Sequence, residues 1–354
     1  MKDSKKNIDA TKKEKSASSI EHLDLLRVFA ISIVVLRHCF SPYTGAWPIS
    51  EFYNYSNFLD ISGRYISSIS MPLFVFISGL LFSYLRNNLK KYPTYKTLIK
   101  KKYNRLIKPY IIFAPIYIYF ILGLTNIKDF VPEFFGGATG HLWFLTMIFA
   151  VFLFFYPFEA FFKKRPLLGF FLVSFLFLLF PIFAKFNLIP ISKALQYGVF
   201  FYVGYFFHTN NAIIYKKLEG KFIWFFLCHL VLFSFVPKLL NNIDSLLIAN
   251  LIAGYMKLPL GLLSIIFTYL AFSKLGKVDF YKYPPLISSI NNSSYYIYLI
   301  HQPVLMLLFK WQALTSLNGI YVVIFAFIFS FTISFVLGHF FMASSFGRKL
   351  VGAK

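Results

Sequence analysis

"LDLLRVFAISIVVLRHCFSPY", residues 23–43, is long and apolar enough to cross a bilayer, yet it carries Arg27, Arg37 and His38. Roughly 17–25 mostly apolar residues make a spanning helix, and ionisable side chains inside one are costly. The stretch therefore predicts a membrane helix whose polar residues have a task. Similar runs recur along all 354 residues, of which 58% are hydrophobic and 21% aromatic. Mean hydropathy is +0.65, which excludes an ordinary soluble domain. The expected fold class is all-α: a polytopic membrane helical bundle.

Ten spans are predicted, near 23–43, 65–85, 108–125, 142–162, 167–184, 194–208, 222–238, 248–273, 294–310 and 319–341. The sixth is short, and "KLPLG" (257–261) is expected to break the eighth. The net charge of +23 suggests a nucleic-acid binder at first sight. Lys and Arg are instead concentrated in alternate connecting segments, above all "RNNLKKYPTYKTLIKKKYNRLIK" (86–108). Such alternation sets topology, with the basic loops inside. Both termini are then cytoplasmic, and no nucleic-acid partner is expected. Residues 1–22 read as a disordered basic cytoplasmic tail and not a cleavable signal, residues 23–341 as the transmembrane domain, and 342–354 as a short cytoplasmic tail. The two cysteines, Cys39 and Cys228, form no disulfide framework or metal motif, and no metal site is expected.

Arg27 and His38 are eleven residues apart, close to three helical turns, so they share a face about 16 Å apart along the axis. Arg27 falls near the cytoplasmic surface, where a snorkelling cation is the plain alternative. His38 falls beyond the midplane, where a hydrogen bond to a neighbouring helix is the plain alternative. Arg37 lies about 100° round the helix; its role is left open, with the outer interface as one place for it.

"GATGHLWFLTMIF" (137–149) puts His141 on the same side as His38, beside Trp143, an interfacial-belt residue on the bland reading. "SSYYIYLIHQPVL" (293–305) places Tyr298 three residues before His301 on one face. "SMPLFVFISGLLFS" (70–83) offers Ser78-Gly79 for close helix contact. Arg105 stands at the cytoplasmic mouth in "YNRLIKPY" (103–110). Of only 13 acidic residues, Asp24 and Glu159 alone fall within the expected spans. That leaves no carboxylate relay for a proton-driven transporter.

Five blocks carry a resemblance: "LDLLRVFAISIVVLRH" (23–38), "PLFVFISGLLF" (72–82), "RLIKPY" (105–110), "HLWFL" (141–145) and "SYYIYLIHQP" (294–303). In this order the chain resembles the membrane acyltransferase 3 family over about residues 20–341. Val28 stands where the family usually has glycine. The family's Arg-x10-His hallmark falls on Arg27 and His38.

The resemblance implies transfer of an acyl group, acetyl or another short one, from cytoplasmic acyl-CoA to a hydroxyl of a cell-surface polysaccharide or glycolipid. Acyl-CoA is then a co-substrate and no cofactor is tightly bound; the location implied is the bacterial plasma membrane. Arg27 and Arg105 are expected to hold the donor's phosphates, and His38 to act as general base. His141 is expected to orient the acceptor or stabilise the oxyanion, supported by Asp24, Ser78, Trp143, Tyr298 and His301. An acyl-histidine intermediate stays open. The rival classes are a polysaccharide exporter or flippase and a non-catalytic member of a glycan-assembly complex.

Overall fold

The computed structural model describes residues 23–45, 47, 51–137, 139–275 and 284–350. The expected N-terminal tail and part of the loop at 274–293 lie outside them. Every regular element among the described residues is helical. The first helix, α1, covers residues 23–39 and ends in a 3-10 turn, Ser41–Tyr43. It is shorter than expected because Pro42, the second residue of that turn, lacks the N–H that would continue the helix.

Helix α2 (Asn57–Asn87) begins where the Ser56 side chain accepts from Leu59 N–H, and α3 (Tyr95–Lys102) begins where Thr94 accepts from Thr97 N–H. Such side chains satisfy N–H groups that the first turn leaves unpaired. A π turn, Tyr103–Ile107, joins α3 to α4 (Lys108–Ile116), and a second, Tyr117–Ile121, follows. Then come α5 (Ile127–Phe135), α6 (Trp143–Lys164), α7 (Pro166–Leu178), α8 (Phe180–Lys185) and α9 (Ile189–Thr209). The chain continues through α10 (Asn211–Leu218), α11 (Phe222–Leu240), α12 (Leu246–Leu275), α13 (Pro284–Phe309), α14 (Gly319–Ala343) and α15 (Ser345–Leu350).

Each of the ten expected segments overlaps helix, although 108–125 runs past the second π turn, which ends at Ile121. Six helical stretches are long and apolar enough to cross a membrane: α2, the stretch that includes α6, α7 with α8 (Pro166–Lys185), α11, the Leu246–Lys274 part of α12, and α14. The others are shorter or more polar. The expected break at "KLPLG" is absent, since α12 continues through Pro259. Exposed Leu167, Phe171, Trp224, Val231 and Tyr321 give these helices an apolar outer surface that suits lipid. The residues expected as a C-terminal tail include α15, where Tyr296 Oη donates to Gly347 O at 3.1 Å.

Lipid tails are as apolar as leucine, so close fit, not water exclusion, holds such helices together. At the α2–α9 contact a Cβ on Gly79 would lie 2.0 Å from Phe201 O, and one on Gly204 2.0 Å from Phe76 O. Only glycine fits at either place. Phe76, Phe82, Phe200, Phe201 and Tyr205 are fully buried around this crossing. At the Lys-rich end, buried Glu159 pairs with Arg86 at 3.1 Å and Lys163 at 3.0 Å. It also accepts from Tyr205 Oη at 2.6 Å, tying α2, α6 and α9 together.

Candidate active site

Three histidines, far apart in sequence, meet in a row. The His38 and His301 ring centroids are 5.2 Å apart, and those of His301 and His141 are 5.0 Å apart. His38 comes from the end of α1 and stacks on Trp47 at 5.9 Å. His301 sits fully buried on α13. His141 sits in the 3-10 turn Gly140–Leu142 that starts α6. Gly140 has φ +44°, and a Cβ there would strike the Tyr117 ring at 2.6 Å. That glycine lets the backbone deliver His141 against Tyr117, whose ring is 5.8 Å away.

Helix α13 clamps the turn. Gln302 Oε1 accepts from His141 N–H at 2.6 Å, and Tyr298 Oη donates to His141 O. Tyr298 thus supports the site through the backbone of His141, and its ring is 5.3 Å from the His141 ring. Gln302 was not singled out by sequence, although its place directly after His301 was the available signal.

The hydrogen-bond partners fix the proton on each neutral ring. Arg37 Nη1 lies 3.2 Å from His38 Nδ1, and a guanidinium only donates. Nδ1 is therefore the acceptor, and neutral His38 carries its proton on Nε2. His301 Nδ1–H donates to Ile297 O at 3.0 Å, which leaves Nε2 as a lone pair. His141 Nε2–H donates to Leu299 O at 3.1 Å, which leaves Nδ1 as a lone pair. Both lone pairs are buried with no hydrogen-bond partner, a costly state.

In this tautomer His38 presents an N–H donor at Nε2. Arg37 is held by Ser67 Oγ at 3.2 Å from Nε and by His38 Nδ1.

Arg27 lies at the other end of α1. Its Nη1 is 3.9 Å from Asp24 Oδ1, and that carboxylate accepts from Asn291 Nδ2 at 2.6 Å. Arg27 and Arg105 are within electrostatic reach of each other. Arg105 sits in the first π turn, a helix irregularity frequent at functional sites. Its guanidinium lies over the Tyr295 ring at 4.8 Å, and Tyr295 Oη donates to Arg105 O.

Lys102 joins this group from α3. Its Nζ is 3.6 Å from the centre of the Phe152 ring and 5.2 Å from that of Tyr92. Burial, then the charge of Arg105, push its ammonium down to about 7. Sequence could not single it out from the other basic residues of loop 86–108.

The remaining expected residues lie around these groups. Trp143 packs against Tyr197 at 5.7 Å. Ser78 Oγ donates within its own helix, to Phe74 O at 3.0 Å; the Phe74 ring lies 6.2 Å from that of Tyr298.

The arrangement supplies one N–H donor and two imidazole lone pairs at one end of α1, and three clustered cations at the other. No curated protein and no solved structure matches the chain. A family model described as an acyltransferase domain matches residues 20–339, nearly the whole length. The chain therefore belongs to the acyltransferase 3 family.

Proposed function

We propose that this protein is a bacterial plasma-membrane O-acyltransferase that moves a short acyl group from cytoplasmic acyl-CoA to a hydroxyl of a surface polysaccharide or glycolipid. In this reading it spans the membrane ten times with both termini cytoplasmic, as the distribution of Lys and Arg favours. The observation that carries it is the row His38–His301–His141, separated along α1 from the Arg27–Lys102–Arg105 group by about three helical turns.

The donor's phosphates pair with the three cations, which leaves the pantetheine arm to run along α1 towards His38. His38 Nε2–H donates to the thioester carbonyl oxygen as it gains negative charge, an effect worth roughly 10²–10³-fold for one such donor. The base role expected of His38 passes to His301. Its Nε2 lone pair takes the proton of the acceptor hydroxyl as the hydroxyl oxygen attacks the carbonyl carbon. The bond from Nδ1–H to Ile297 O steadies the resulting imidazolium. When the tetrahedral species collapses, the C–S bond breaks and the imidazolium returns its proton to the departing thiolate. The products are an O-acyl ester and free CoA thiol.

The test is thiol release from acetyl-CoA by the full chain in lipid nanodiscs, with hydroxylamine as a strong acceptor. The expected result is steady release that depends on the protein. No release above the protein-free rate overturns the reading.

A further inference from the structure

Beyond the histidines, on the side away from Arg27, three cations from three helices converge. Arg37 of α1 is within electrostatic reach of Lys257 of α12, and Lys257 is within reach of Lys193 of α9. The Lys193 ammonium lies 5.8 Å from the centre of the Trp143 ring and donates to Gln196 Oε1 at 3.4 Å. Tyr197 lies within electrostatic reach of both Arg37 and Lys193.

No carboxylate among the described residues forms an ion pair with any of these three. Lys257 lies eleven residues into an apolar helix long enough to span, about 16 Å from its start. It is nonetheless exposed. A cation at that depth needs water or an anion. Three cations together without a counter-charge repel one another, and a bound anion removes that cost.

The neighbours say what kind of anion. Arg37 spends Nε on Ser67 and one Nη1 hydrogen on His38, so Nη2 is left to pair with an oxyanion in a planar fork. Trp143 and Tyr197 offer aromatic faces beside Lys193, and such faces suit the C–H side of a sugar ring. The donor's phosphates have their own cations at the opposite end of α1.

From these contacts we infer that the acceptor is an anionic sugar, carrying a phosphate or a carboxylate held by Arg37, Lys193 and Lys257. This rests on the transferase reading and names the acceptor class for that same site.

The test uses the full chain in phosphatidylcholine nanodiscs with acetyl-CoA and three acceptors: octyl glucoside, octyl glucuronide and the 6-phosphate of octyl glucoside. Thiol release is read with each, and hydroxylamine serves as an acceptor without a sugar. At least one anionic glycoside is expected to exceed the neutral one about 10- to 100-fold in kcat/KM, as for charged hydrogen bonds worth about 1.5–3 kcal/mol. The arm with the larger ratio distinguishes carboxylate from phosphate.

Lys193→Met and Lys257→Met are expected to collapse that ratio towards one, and the Lys→Arg variants to keep it. Because the ratio is taken within each variant, partial misfolding does not produce it. Equal use of all three glycosides, use of none beside active hydroxylamine turnover, or a ratio that survives the double Met variant overturns the inference. Failure of hydroxylamine turnover in the unaltered protein overturns the transferase reading itself, and this inference with it.

Discussion

Arg37 donates to the Nδ1 of its chain neighbour His38 across 3.2 Å, although adjacent residues on a helix point about 100° apart. The long arginine side chain curls back, and Ser67 of α2 holds its Nε. A protonated His38 would set Nδ1–H against a guanidinium N–H, beside a fixed positive charge. The pair therefore favours the His38 tautomer with its proton on Nε2.

That relationship makes the glutamine and asparagine variants of His38 informative. The Gln amide nitrogen reaches the place of Nε2, while the Asn nitrogen matches only Nδ1. His38→Gln should retain more acyl transfer than His38→Asn or His38→Ala, and Ala should lose about 10²–10³-fold. Equal, complete loss in all three, with normal membrane insertion, would argue that His38 acts as a base after all.

His301 gives the complementary case. His301→Asn keeps a donor for Ile297 O but removes the Nε2 lone pair. Transfer to a sugar hydroxyl should fall by about 10²–10⁴-fold, the usual worth of a general base. Hydroxylamine attacks a thioester without such help, so its turnover should fall much less. A proportional loss with both acceptors would mean that His301 only holds α13 in place.

Much of this was legible in sequence because membrane folding leaves a coarse mark. Residues 23–38 carry Arg27 and His38 at a spacing that any straight helix turns into one face, and α1 keeps them there. His141 and His301 stood out because ionisable residues in apolar runs are few. Their meeting was not legible, since it depends on Gly140 turning the backbone and on Gln302 catching it. The direction of Arg37 was not legible for a similar reason: Ser67, thirty residues on, decides it. "KLPLG" was misread because proline in a membrane helix can be accommodated by its neighbours, and Gly261 packs against the Phe200 ring and Pro72.

The α2–α9 crossing yields a stability prediction. Gly79→Ala puts a methyl group 2.0 Å from Phe201 O, backbone that cannot swing aside as a side chain does. The helices must separate, at a cost of about 1–3 kcal/mol for such overpacking. The melting temperature in detergent should drop clearly for Gly79→Ala and Gly204→Ala. Gly198→Ala, where no atom lies within 4 Å of the added Cβ, should be almost neutral. If all three variants melt alike, the close crossing is not what holds α2 to α9.

The last prediction concerns donor binding and pH. Lys102 lies on α3, outside the spans, and burial with Arg105 nearby pushes its ammonium down to about 7. Below that pH it is charged and ready to pair with a phosphate; above it the free protein holds a neutral amine. Binding of acetyl-CoA favours the charged form, so it must draw a proton from solvent as pH rises past 7. Affinity should then weaken by up to about tenfold per pH unit between 7 and 9, the limit for uptake of one proton. Calorimetry in two buffers of different ionisation enthalpy should detect that uptake directly at pH 8. Lys102→Arg keeps the charge at every pH in this range, because guanidinium does not deprotonate there. Its affinity should therefore be nearly flat across the window, without proton uptake. Lys102→Met should bind weakly at pH 6.5 and approach the unaltered protein at pH 9. A flat profile in the unaltered protein, or the same slope in Lys102→Arg, would remove Lys102 from the phosphate site and leave Arg27 and Arg105 to hold the donor alone.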